Sequence, residues 1–113
     1  MDIEKLTVGE ARQIAALFSA QLKAQDDSHW EIGKPYFLRT VTHHHQGRLV
    51  KVTPQELVLE DAAWVPDDGR FARAVATSAF AEVEPFPAGK QVIIGRGSLV
   101  DAVRIDALNL TQK

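Results

Sequence analysis

Three segments with the composition of β-strands follow one another closely in the first two thirds of the chain, and their spacing constrains the fold more than any other feature. Residues 36–43, 48–52 and 57–65 are rich in aromatic and β-branched side chains, as strands are. The connections between them are only a few residues long, whereas parallel neighbours need crossovers of about a dozen residues. The sequence therefore predicts an antiparallel meander of three strands.

Helical and strand patterns surround this meander. A capping-box motif followed by an apolar stripe predicts a helix over residues 7–25, and aspartates can cap a short helix within residues 66–81. Residues 82–91 contain two prolines and a glycine, which indicates an irregular or edge strand. Residues 92–94 and 99–105 predict two short strands around a tight turn. We expect a mainly β fold with an N-terminal helix, in which a five-stranded antiparallel sheet bends strongly into a small barrel.

Composition limits the classes of protein to which the chain can belong. A length of 113 residues suits one domain, and the absence of cysteine excludes disulfides, thiolate zinc sites and cysteine nucleophiles. The start of the chain lacks the basic and apolar run of a signal peptide, which predicts a cytoplasmic protein. A net charge of −2 gives no global attraction to nucleic acid or to an anionic membrane. We expect no membrane partner and no cofactor.

Two short motifs resemble those of the Sm-like (LSm) family. The first lies within residues 36–65 and is clearest at Gly47-Arg48-Leu49. The second lies within residues 82–105, where Arg96 and Gly97 separate two apolar strands, although Gly95 intervenes before the arginine. The order of elements is similar over nearly the whole chain, with residues 66–81 at the loop that varies most in length in that family. The resemblance implies an SH3-like barrel, closest to atypical Sm-like proteins of phages and bacteria without assigned function.

The resemblance also bears on RNA binding. RNA-binding members of the family carry an aspartate, a base-stacking side chain and an asparagine in the turn between the second and third strands. Here residues 53–56 form that turn and Glu56 occupies the asparagine position, where a carboxylate repels phosphate. Arg96 and Gly97 are the RNA-site residues that carry over. The resemblance thus favours a ring-forming binding or scaffold module, phage-related in character, with an RNA-binding ring that uses Arg96 and the pore loops as the alternative.

Apolar strands near the end of the chain predict self-assembly. A bent five-stranded sheet leaves open edges, and the strands that flank Arg96 are too apolar to remain exposed. Pairing one subunit's edge with that of the next gives a heterologous contact, which closes a homo-oligomeric ring if the rotation suits. We expect a subunit interface formed by four side chains: Val92, Ile94, Leu99 and Val100.

A run of three histidines is the one pattern that points to a metal. His43 and His45 share a face if they lie on a strand, so that both imidazoles could reach one ion. A third ligand would have to come from His29, from Glu31 or from a neighbouring subunit. The alternative is a polar strand end without a metal.

The remaining candidates have ordinary structural explanations beside functional ones. Arg70 and Arg73 form either a basic patch or a solvated helix face, and Trp30 and Trp64 are expected to anchor a core or an interface. Arg96 either recognises phosphate or carbonyl groups, or is an exposed turn residue paired with Asp101. No catalytic motif is present, and we expect no enzymatic activity.

Overall fold

The computed structural model describes residues 12–14 and 29–113. The chain divides into two compact units, residues 1–30 and residues 31–113. Of the helix predicted over residues 7–25, only residues 12–14 are described, and they are helical; the rest of that prediction lies outside the described residues. Within the described ranges, no helix is long and apolar enough to cross a membrane.

The second unit is built mainly from antiparallel strands. Its elements are β1 (Pro35–Thr40), β2 (His44–Val52), β3 (Glu56–Asp67), α1 (Phe71–Thr77), β4 (Glu82–Pro85), β5 (Val92–Gly95), a 3-10 helix (Arg96–Ser98) and β6 (Leu99–Arg104). The mainly β class and the antiparallel meander are confirmed. The sheet has six strands rather than five, because the proline-containing segment contributes a regular strand, β4, before Pro87 interrupts it.

The sheet is curved, and its connectivity shows why. β3 pairs with β5 along its first half and with β4 along its second half, and the order continues through β2 and β1 to β6. In a flat sheet β5 and β6 would lie four strand spacings apart, about 19 Å. The 3-10 helix between them leaves only the span from Gly95 to Leu99 to cover that distance, at most about 14 Å when fully extended. The sheet must therefore curl towards the 3-10 helix.

A β-bulge in β3 contributes to this curvature. The β2–β3 register shifts between Gln46 and Arg48, and Asp61 in the opposing strand has a φ of 49°, in the left-handed region. The predicted strands over residues 36–43 and 48–52 leave Gly47 in an interruption between them, but in the structure Gly47 lies within β2. A Cβ atom on Gly47 would lie 2.9 Å from Leu59 Cβ and 3.1 Å from Ala62 Cβ. A glycine is thus required for the bulged strand to pack this closely.

The glycine requirement can be tested by adding a single methyl group. We expect Gly47→Ala to lower the free energy of unfolding by about 1–3 kcal/mol, because β3 must shift to accommodate the new Cβ. Gly95→Ala is the matched control, since Gly95 also lies in a strand, has a φ of −69° and would have no atom within 4 Å of an added Cβ. Chemical denaturation of both variants measures the difference, and equal stabilities would contradict the close approach.

One face of the sheet packs against α1 and the end of the chain. Its core contains residues from β1, β3, α1, β4 and the segments that follow α1 and β6: Phe37, Ala63, Val65, Ala74, Phe80, Val83 and Ile105. The last residues run back across this layer, where Gln46 exchanges two hydrogen bonds with the backbone of Asn109. Lys113 pairs with Val83 through backbone hydrogen bonds of 3.0 and 3.3 Å, which covers the outer edge of β4.

Candidate functional site

An aromatic pocket lies on the sheet where β2, β3 and β4 meet. The strand register places His45 opposite Trp64, and Trp64 opposite Glu84. Side chains directly opposite in antiparallel strands share a face, so these three form a row across the sheet. His43 and Phe86 lie beside this row and also line the pocket, and the backbone N–H of Phe86 donates to the Ala62 carbonyl at 2.9 Å.

The rings in this pocket form a continuous chain of contacts. Ring centroids lie 5.9 Å apart for His43 and Trp64, 6.1 Å for His43 and His45, and 6.2 Å for His45 and Phe86. Pro85 and Pro87 complete an apolar wall around a cavity of about 440 Å³. We refer to these residues, His43, His45, Trp64, Glu84, Pro85, Phe86 and Pro87, as the aromatic pocket.

The electrostatic state of the pocket depends on His45. Its Nδ1 atom is buried and has no hydrogen-bond partner among the residues that the structure describes. Burial lowers the pKa of His45 below its ordinary value, and the neighbouring His43 and His44 lower it further. The imidazole is therefore neutral at physiological pH, and the wall it forms is apolar and aromatic rather than cationic.

The histidine cluster does not form a metal centre within the described part of the chain. No group of three His, Asp or Glu side chains there is arranged to hold a metal ion. His43 lies in the turn between β1 and β2 rather than on a strand, because β1 ends at Thr40. His44 Nδ1 lies 2.9 Å from both carboxylate oxygens of Asp68, while Glu31 forms an ion pair with Arg104.

The turn that carries Arg96 packs against the turn between β2 and β3. The Arg96 guanidinium donates to the Thr53 carbonyl at 2.8 Å, and its backbone N–H donates to the Gln55 carbonyl at 2.9 Å. Glu56 lies opposite Gly95 in the register, next to Arg96.

Asp101 is not the partner of Arg96, because it forms a bidentate ion pair with Arg39. That pair lowers the pKa of Asp101.

Gly95 and Gly97 have ordinary backbone conformations. Neither has a positive φ, so the turn places no conformational demand on them. The space around Gly97 is open, since a Cβ atom there would have no atom within 4 Å. The sequence-predicted pair of Arg96 and Gly97 thus lies on an accessible turn whose arginine is already hydrogen-bonded within the chain.

Of the four side chains expected at a subunit interface, one faces inward instead of outward. Ile94 is only 5% exposed and packs inside the chain, whereas its neighbour Ile93 is 60% exposed. Val100 on β6 is 64% exposed, and Val92 and Leu99 are half-buried. Among the described residues, β5 pairs with β3 alone and β6 with β1 alone, so each strand has one open edge.

The structure also shows where the two arginines of the predicted basic patch and the two tryptophans lie. Arg70 precedes α1 and Arg73 lies within it, and both line a shallow depression with Lys113. Trp30 is half-buried, while Trp64, expected in a core or an interface, is exposed in the aromatic pocket.

Sequence reasoning missed Glu84 and Phe86 because their neighbours in the pocket come from distant parts of the chain. The local signal in the sequence is a phenylalanine between two prolines, and the structure shows that this Phe86 is exposed. Comparison with known proteins found no matching family model, no matching curated protein and no matching solved structure.

Proposed function

We propose that this chain is the subunit of a cytoplasmic homo-oligomeric ring, built on a strongly bent, Sm-like barrel and acting as a non-catalytic binding or scaffold module. The observation that carries the proposal is the pair of open strand edges on β5 and β6, joined by one short 3-10 helix. Both edges present an exposed branched apolar side chain, Ile93 on β5 and Val100 on β6.

Open edges with apolar side chains are unfavourable in a monomer. Each edge leaves backbone N–H and C=O groups ready to pair with another chain, and monomeric proteins usually protect such edges with charges, prolines or a covering segment. The chain does protect β4 in this way, since Lys113 pairs with Val83. No such cover lies on β5 or β6 among the described residues.

Pairing β5 of one copy with β6 of the next would satisfy both edges. Such a contact joins different surfaces of two identical chains, and repetition closes a ring when the rotation between neighbours suits. Burying Ile93 and Val100 would add about 1.5–3 kcal/mol for each side chain before the costs of association. Val41 is also exposed, and its backbone N–H donates to the Ser98 carbonyl at 2.9 Å, which extends the apolar surface beside the 3-10 helix.

A charge on one edge tests this assembly. We expect Ile93→Lys to release folded monomers, because a lysine in the seam would lose its hydration opposite an apolar strand. The matched control is Ile32→Lys, since Ile32 is 59% exposed and lies in a turn before β1. Sedimentation velocity at micromolar concentration measures the mass of each variant.

The two variants separate an edge effect from a general effect of added charge. Retention of the parent's oligomeric mass by Ile93→Lys would contradict the β5 edge as the interface. Dissociation by both variants to the same extent would also contradict it, because Ile32 lies outside both edges.

The alternative function is an RNA-binding ring, favoured by the position of Arg96 on the turn between β5 and β6. Two features oppose it: the guanidinium donates to the Thr53 carbonyl, and the acidic residue Glu56 lies opposite Gly95, next to Arg96 in the chain. Nanomolar, salt-dependent binding of a uridine-rich oligoribonucleotide that is lost in Arg96→Ala would favour the alternative over the scaffold.

A further inference from the structure

We propose that the aromatic pocket binds a methylated ammonium group, of the kind carried by choline or by a trimethylated lysine side chain. This binding is independent of ring formation, because every residue of the pocket belongs to one chain and none lies on β5 or β6.

The walls of the pocket have the chemistry of a cation-binding cage. Trp64, Phe86 and the two imidazoles of His43 and His45 line the cavity, and their π-systems form a continuous chain of contacts. The negative face of an aromatic ring attracts a cation, and quaternary ammonium groups are the ions best suited to such cages. Their methyl groups also make apolar contacts, which Pro85 and Pro87 can supply.

The charged residue at the pocket is negative, and a negative charge favours the binding of a cation. Glu84 is exposed there and, among the described residues, has no ion-pair partner, while no lysine or arginine lines the pocket. A carboxylate beside aromatic walls favours a cationic ligand and repels a phosphate. Anionic ligands, including nucleotides, are therefore the wrong class for this site.

His45 adds no positive charge to the wall. A protonated imidazole there would repel a cation, but burial lowers the pKa of His45 and keeps the ring neutral at physiological pH. Within residues 12–14 and 29–113, the buried Nδ1 atom has no hydrogen-bond partner. The pocket consequently presents the negative charge of Glu84 together with an uncharged wall at His45.

Isothermal titration calorimetry of the native protein tests the proposal with three probes. They are choline chloride, a short peptide that contains trimethyl-lysine, and 3,3-dimethylbutanol, the uncharged isostere of choline. We expect at least one of the two cations to bind about tenfold more tightly than the neutral isostere, since cation–π attraction requires the charge. The relative affinity for choline and for the peptide shows whether the methylated ammonium group comes from a free small molecule or from a modified protein.

Two variants locate the binding. Glu84→Gln removes the pocket's negative charge with little change in shape, and we expect it to weaken cation binding about threefold to tenfold. Glu82→Gln is the matched control on the same strand, because Glu82 is exposed and lies outside the pocket. Failure of both cations to bind more tightly than the neutral isostere, no heat of binding from either cation at millimolar concentration, or equal effects of the two variants would each overturn the proposal.

Discussion

Ile94→Lys is expected to unfold the protein rather than to release folded subunits. Ile94 is 5% exposed and lies opposite Leu57, which is fully buried in β3. A lysine at this position would place an unpaired ammonium group in the core, which costs at least about 3 kcal/mol. That loss is a large fraction of the roughly 5–15 kcal/mol that stabilises a typical domain. Circular dichroism with thermal unfolding measures the change.

The adjacent residue provides the control. Ile93→Lys introduces the same charge one position away, where the side chain is 60% exposed, and we expect that variant to remain folded. A well-folded Ile94→Lys protein with unchanged melting behaviour would contradict the inward position of this side chain. The sequence pattern places Ile94 in the subunit interface, and the structure assigns the outward position to Ile93 instead.

Gln46→Leu is expected to destabilise the fold by about 2–4 kcal/mol, the second largest effect of a single substitution. The Gln46 side chain is completely buried, donates to the Asn109 carbonyl at 2.5 Å and accepts from the Asn109 N–H at 2.8 Å. Leucine keeps most of the volume but leaves both backbone groups without their partner. The C-terminal segment would then lose its attachment to β2.

The matched control for that substitution is Gln55→Leu, because Gln55 is exposed in the turn between β2 and β3. Urea denaturation gives the stability of both variants, and hydrogen exchange reports on the backbone amides after Ile105. A Gln46→Leu protein as stable as Gln55→Leu, with unchanged exchange at Asn109, would show that the hydrogen-bonded pair does not hold the segment in place.

The meander can be predicted because its determinants are local. β-Branched and aromatic composition identifies strands, and connections of a few residues force neighbouring strands to be antiparallel. The short helix after β3 is predictable for the same reason, from an apolar stripe near two aspartates, although no side chain caps it in the structure. These features depend on residues near one another in the chain.

The faces of the short strands cannot be predicted in the same way. Val92, Ile93 and Ile94 are all apolar, and alternation in so short a run does not show which side chains face inward. Pairing with β3, which lies much earlier in the chain, sets the register that buries Ile94 and exposes Ile93.

The aromatic pocket depends on a similar long-range arrangement. His45, Trp64 and Glu84 become neighbours only through the registers of β2 with β3 and of β3 with β4. The bulge at Asp61 shifts one of these registers, and no simple alternation of polar and apolar residues reveals such a shift.

The mass of the native protein in solution tests the proposed ring most directly. Multi-angle light scattering behind size-exclusion chromatography, repeated over a range of micromolar loading concentrations, gives that mass without any substitution. The proposal predicts one species whose mass is a fixed multiple of the 12.5 kDa chain and does not change over this range. A mass of 12.5 kDa at every concentration would contradict the ring.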